Sequence, residues 1–131
     1  MHDPESRVTD RGPVTRIPVF DPSALEALRA ATPACSGLVE RVAQAWLRDA
    51  PARITQAREA AVAGRAEDAH RAVHSLKSAS ATVGAMRLAA SCREAEQAYK
   101  TGALDPALLD EVERDYADVV GEVMSIPELG G

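Results

Sequence analysis

Aromatic residues are scarce: one Trp, two Tyr and one Phe make up 3% of the 131-residue chain. A core without large rings must be filled by alanine, leucine and valine, and that mixture favours helices packed closely through small side chains. Cysteine is just as sparse, with only Cys35 and Cys92. Two thiols so far apart exclude a disulfide framework and a cysteine metal knuckle, so both are expected to be free thiols in a reducing compartment. Positive charge is in deficit, because 15 Lys and Arg against 20 Asp and Glu leave a formal net charge of −5. Phosphate backbones need a basic surface, which excludes nucleic acid as a partner. No apolar run is long enough to span a bilayer, and the opening MHDPESRVTDRGPVTR lacks the apolar core of a signal peptide. The expectation is a cytoplasmic monomer with no membrane insertion.

What is present is helical periodicity. Residues 1–20, with Pro4, Gly12, Pro13 and Pro18 among charges, have no apolar period and read as a flexible arm or linker. Structure begins at DPSALEALRAAT, where Asp21 or Ser23 can cap a short helix carrying Leu25 and Leu28 and stopped by Pro33. From Ser36, a plausible cap, to Asp49 the apolar residues Leu38, Val42, Ala45 and Trp46 recur at helical spacing. Pro51 then either bends one long helix or separates two, and Gly64 closes the segment. A helix over 66–83 carries a narrow stripe of Ala69, Ala72, Val73, Leu76, Ser80 and Val83, with Gly84 as its stop. The next, over 86–100, turns Leu88, Cys92, Ala95 and Tyr99 inward. The last starts at Asp105–Pro106 and carries Leu108, Leu109, Val112, Tyr116, Val119 and Val123, with DEVERDYAD on a solvated face. No segment alternates with period two. Short connections make consecutive helices antiparallel neighbours. The fold expected is therefore all-α, an antiparallel up-down four-helix bundle over 21–125 with a short N-terminal helical portion and a tail at 126–131. Trp46 belongs to the core, and its helices run about 13 to 20 residues.

Chemistry concentrates in AHRAVHSLKSASATVGA, residues 69–85. At 100° per residue His70, Arg71, His74, Lys77, Ser78 and Ala81 share one side of the helix, opposite the apolar stripe. Solvated surface histidines are the ordinary reading of such a face. Paired metal ligands are a second, but HxxxH lacks further ligands and the glutamate of a zinc-protease helix, and Lys77 repels a dication, so no metal is expected. General acid–base work is a third, yet the acids nearest in sequence, Glu67 and Asp68, lie a turn or more away. In the fourth, His74 is a nucleophile toward phosphorus. An exposed neutral imidazole meets that need, with Lys77 to offset phosphoryl charge, Ser75 or Ser78 to donate a hydrogen bond, and small neighbours that admit a large partner.

The run VHSLKSASATVGA resembles the signature of histidine-containing phosphotransfer (HPt) domains, A-H-x-L-K-G-x-[SA]-x-x-[LVI]-G-A, through His74, Leu76, Lys77, Ser80, Val83, Gly84 and Ala85. The helical segments follow the order of such domains from about residue 19 to 124. Ser78 stands where glycine is frequent, at a partner-facing position, and Val73 where alanine is frequent. The resemblance implies that His74 accepts a phosphoryl group from a receiver-domain aspartate and passes it to another receiver domain. It implies that Lys77 supports the phosphoryl charge, that His70, Arg71, Ser78 and Ala81 serve docking, and that Gly84 shapes the turn. The partners implied are receiver domains of response regulators and of a hybrid sensor histidine kinase. The domain itself binds no cofactor, Mg²⁺ coming from the receiver, and it has no autonomous kinase activity, since no P-loop or nucleotide lid is present. It is either free-standing or the C-terminal module of a hybrid sensor kinase. The rival reading is a helical adaptor or inhibitor that binds receivers without transferring phosphate.

Overall fold

A computed structural model describes residues 16–34 and 37–126, and these form five helices and no strand. They are α1 (Ser23–Ala31), α2 (Leu38–Val62), α3 (Ala66–Val83), α4 (Met86–Lys100) and α5 (Ala107–Met124). Helices α2 to α5 pack in a ring of neighbours, α2 on α3, α3 on α4, α4 on α5 and α5 back on α2. The short α1 lies across α2 and α3. This is the four-helix bundle with an extra N-terminal helix that the periodicity implies. The Asp21 carboxylate starts α1 by accepting from the Ser23 backbone N–H at 3.0 Å and its hydroxyl at 2.7 Å. Asp105 plays the same part for α5, accepting from the Ala107 N–H at 3.0 Å.

The two segments either side of Pro51 are one helix of 25 residues, longer than the length expected. A proline there leaves the carbonyl four residues earlier, that of Leu47, without its helical donor. The Tyr116 hydroxyl of α5 donates to that carbonyl at 3.0 Å, so a partner helix satisfies the acceptor that the proline orphans. Tyr116→Phe is expected to lower the free energy of unfolding by about 1 kcal/mol, read by chemical denaturation. An unchanged midpoint would show that the carbonyl needs no such donor.

The buried face of α2 also differs from the expected phase. Val39, Ala43, Trp46, Ala50, Ile54, Ala57, Ala60 and Ala61 point inward, whereas Leu38, Val42 and Ala45 are only partly covered. Of the four residues picked from the sequence only Trp46 is buried. The reason is the alanine content: α2 turns its small side chains to its neighbours and leaves Val42 and Ala45 lining a groove beside Trp46 and α3. The α3 stripe is buried as expected, Ser80 included. Its hydroxyl accepts from the Trp46 indole N–H at 3.1 Å, which satisfies both polar atoms inside the core.

In α4 the expected Leu88, Cys92, Ala95 and Tyr99 are buried, and Ser91 joins them. The acidic run of α5 is not wholly solvated: Asp115 is 1% exposed, faces the core and accepts from the Ser91 hydroxyl. Leu108 and Tyr116 are half-buried at the margin of that face. Burial pushes the Cys92 thiol up to about 12, with Asp115 and Glu96 adding to the effect and Lys77 opposing it. It therefore stays a protonated, packed thiol rather than a nucleophile. Cys35 and Ser36 lie outside the described residues.

Part of the stretch expected as an arm lies on the bundle. Arg87 of α4 donates to the Ile17 carbonyl at 2.9 Å, Val19 and Phe20 pack against the core, and the Asp21 N–H donates to the Gly84 carbonyl at 2.8 Å. At the other end Ile126 also touches the core. No helix among the described residues is long and apolar enough to cross a membrane.

Candidate functional site

His74 stands at mid-length on α3, on the side away from Val73 and Leu76, because those two carry the stripe that buries against the neighbouring helices. Its side chain is 55% exposed, the most open of the polar cluster around it. The cluster is completed from the next helix. Glu96 of α4 reaches across, its carboxylate only 12% exposed, and places Oε2 at 2.5 Å from His74 Nδ1 and Oε1 at 2.5 Å from Lys77 Nζ. The same Oε2 is 3.4 Å from Nε2 of His70. The two imidazole rings lie nearly parallel, 13° apart, with centroids separated by 6.1 Å.

Glu96 is the functional residue that reading along the chain missed. The acids sought were those near His74 in sequence, and the structure supplies one from the facing helix. The signal was the hairpin itself: about Gly84, antiparallel helices bring residues at similar distances before and after the turn side by side. His74 lies ten residues before Gly84 and Glu96 twelve after it. A search for carboxylates across that turn would have found it.

The electrostatics of the cluster determine which nitrogen is free. Burial pushes the Glu96 carboxyl up, but the hydrogen bonds and charges of Lys77 and His74 outweigh it and leave Glu96 below the usual carboxylate range. An ionised carboxylate only accepts, so the ring nitrogen facing it is assigned the proton: Nδ1 carries hydrogen and Nε2 keeps its lone pair. Because the folded value is lowered, these contacts contribute stability above the unfolded carboxylate range, and that contribution is lost as pH falls through the lowered value.

The remaining residues of the face are not gathered into one cluster. Arg71 is exposed and turned to its own helix, bonding Glu67 at 2.9 Å and lying 3.8 Å from Asp68. Ser78 and Ala81 are exposed and, with Lys77, line the groove between α3 and α4, whose other wall is Met86, Ala89 and Arg93 and whose end is Ile17. Ser75 points to the other side, into the grooves between α2 and α3. Gly84 sits in the α3–α4 turn at φ 90°. No group of three His, Cys, Asp or Glu residues among the described residues is arranged to hold a metal ion.

The described residues thus form a helical bundle with an open imidazole whose Nδ1 is tied to a part-buried carboxylate and with a lysine one turn on. The family model of the Hpt domain matches residues 41–122, and the chain belongs to that family. It is thereby a phosphotransfer intermediate of two-component phosphorelays. Among solved structures the chain is similar to histidine-containing phosphotransfer protein B (HptB) from Pseudomonas aeruginosa PAO1. The two share 29% identity with a TM-score of 0.71, over 78% of this chain and 88% of that one. No curated protein matches the sequence.

Proposed function

We propose that His74 is the residue that carries the phosphoryl group, taking it from the aspartyl phosphate of one receiver domain and giving it to the aspartate of another. The observation that carries the reading is the contact of Glu96 with His74 Nδ1, which leaves Nε2 as an open nucleophile on the solvent side. The Nε2 lone pair attacks phosphorus. The N–P bond forms as the bond from phosphorus to the aspartate oxygen breaks, and the aspartate leaves as a carboxylate. The ring keeps its Nδ1 proton and gains positive charge, which Glu96 offsets across 2.5 Å. On the return step the N–P electron pair goes back to Nε2. No proton has to move in either direction, which suits a carrier that must both receive and release.

Lys77 is held beside the acceptor by its bond to Glu96 Oε1 and is the cation nearest to hand for the phosphoryl oxygens. The donor and acceptor are receiver domains, one on a hybrid sensor histidine kinase and others on response regulators, and the receiver brings the Mg²⁺ that offsets charge on the transferred group. The α3–α4 groove, with Ser78 and Ala81 on one wall and Arg93 on the other, offers the docking surface beside His74. Docking roles fall also to His70, beside Glu96, and to Arg71, which lines the neighbouring α2–α3 groove. The chain works as a monomer in the cytoplasm, either free-standing or as the C-terminal module of a sensor kinase. The family match does not favour the rival adaptor, and an adaptor has no need of a nucleophile with an assigned tautomer.

The test is to mix the protein with a phosphorylated receiver and Mg²⁺ and to map the label. Acid-labile label on His74 is expected, and acid-stable label or label elsewhere overturns the reading. Glu96→Gln keeps a hydrogen-bond acceptor but removes its charge. The charge-assisted part of the bond is worth about as much again as a neutral one, so stopped-flow transfer is expected to slow about tenfold. An unchanged rate would remove Glu96 from the chemistry.

A further inference from the structure

Ile17 lies before the span that the family model matches, residues 41–122, in a stretch whose sequence reads as an arm. The structure nevertheless gives it a fixed place, at the end of the α3–α4 groove that opens one turn along α3 from His74. We propose that Ile17 is part of the docking surface, where it takes an apolar patch flanking the acidic phosphorylation pocket of a receiver domain. The inference rests on His74 being the acceptor.

Three fastenings hold the segment that carries Ile17. The Arg87 guanidinium donates to the Ile17 carbonyl at 2.9 Å, Val19 and Phe20 pack against the core, and the Asp21 N–H donates to the Gly84 carbonyl at 2.8 Å. With its backbone bound on both sides of Pro18, the segment presents the Ile17 side chain in one place. That side chain is half-buried, as are Met86, Ala89 and Ala90 of α4, while Ala81 of α3 is exposed. These residues make an apolar floor with a cation on each helix, Lys77 on α3 and Arg93 on α4. The two cations differ. Lys77 is bonded to Glu96, whereas Arg93 is exposed and has no ion-pair partner among the described residues.

What this surface fits follows from the transfer. The aspartyl phosphate has to reach Nε2 of His74, so the receiver lies over that ring. A transient complex covers about 600 Å² on each partner, a disc of about 14 Å radius around the transfer point. Ala81 is two turns on from His74, about 10 Å along the helix, so the groove falls inside the footprint. Charge favours this direction over the other. A receiver holds Mg²⁺ through carboxylates, which makes the face around its aspartate acidic. Toward the start of α3 that face would meet Glu67 and Asp68, which offset Arg71. Toward Gly84 it meets Arg93, and past Arg93 the apolar floor. Attraction to one cation draws a partner in without fixing its register. An isoleucine held at the groove's end supplies the shape that an apolar patch can fill, and covering it removes apolar surface from water.

The test uses the full-length protein and a receiver domain that labels it, phosphorylated with acetyl phosphate. Single-turnover transfer at several receiver concentrations gives a half-saturating concentration and a limiting rate. Ile17→Ala is expected to raise the first about fivefold and to leave the second within about twofold. Ile17→Asp, which turns a carboxylate toward an acidic partner, is expected to raise the half-saturating concentration at least about tenfold. Phosphoramidate, a small donor that releases ammonia and needs no docking, is expected to label all three proteins at the same rate. Equal half-saturation in the three proteins overturns the proposal. A loss that phosphoramidate labelling shares also overturns it, since Ile17 would then support the acceptor rather than the partner. Wild-type label that maps to a residue other than His74 overturns the acceptor reading instead, and the docking inference falls with it.

Discussion

His74→Gln is expected to abolish labelling from a phosphorylated receiver, by at least the factor that separates transfer from background, while helicity by circular dichroism is retained. The two halves of that expectation come from different parts of the molecule. The side chain is 55% exposed and turned away from the buried stripe of α3, so replacing it opens no cavity and disturbs no core contact. Glutamine can still donate to Glu96 Oε2 through its amide and so keeps the partner of Lys77 in place. What it cannot do is attack phosphorus, because an amide nitrogen has its lone pair delocalised into the carbonyl. A drop in label with the fold intact therefore assigns the loss to the nucleophile itself. Label that persists in this variant would move the acceptor elsewhere. His70 would be the first place to look, since its ring lies nearly parallel to that of His74.

Much of this site was legible along the chain because it lies on one helix. The spacing of Ala69, Ala72, Val73, Leu76, Ser80 and Val83 determines which side of α3 is buried, and so which side shows His70, His74, Lys77, Ser78 and Ala81. What was not legible depends on a second helix. Glu96 is twenty-two residues from His74 in sequence and reaches it only once Gly84 has folded α4 back along α3. The same limit explains α2. Which of its many alanines face inward is decided by the helices packed on them, and the pattern pointed to Leu38, Val42 and Ala45 where the packing chose Val39, Ala43 and Ala50. Whether Pro51 bends one helix or separates two stayed open along the chain for a similar reason, and the structure has one helix. The compensation for its missing N–H comes from Tyr116, on the last helix. Asp115 read as solvated because its neighbours in DEVERDYAD are, while its partner Ser91 sits on α4.

Gly84→Ala is expected to be among the most destabilising single changes in the chain, and the comparison with Gly64→Ala isolates why. Both glycines sit at positive φ, 90° and 77°, where a side chain costs about 1–2 kcal/mol. At Gly64 nothing lies within 4 Å of an added Cβ, so that strain is the whole effect. At Gly84 the Cβ would stand 2.2 Å from the Asp21 carbonyl oxygen, a backbone atom that cannot rotate away. The segment before α1 would have to lift, breaking the 2.8 Å bond from the Asp21 N–H to the Gly84 carbonyl. The turn also carries two bonds that end α3, from the Ala85 N–H to the Ser80 carbonyl and from the Gly84 N–H to the Ala81 carbonyl. Strain, clash and lost bonding together amount to about 3 kcal/mol, or about 10 °C in Tm for a domain of this size, against about half that or less for Gly64→Ala. Thermal melts of the two variants side by side check it, and equal losses would show that the close approach of Asp21 is not what reserves the position for glycine. The functional reach of the turn follows from the same geometry. Gly84 sets the register of α4 against α3, and that register is what brings Glu96 to His74 and Lys77. A Gly84→Ala protein that still folds at low temperature is therefore expected to lose transfer rate as well, with His74 and Glu96 both intact in its sequence.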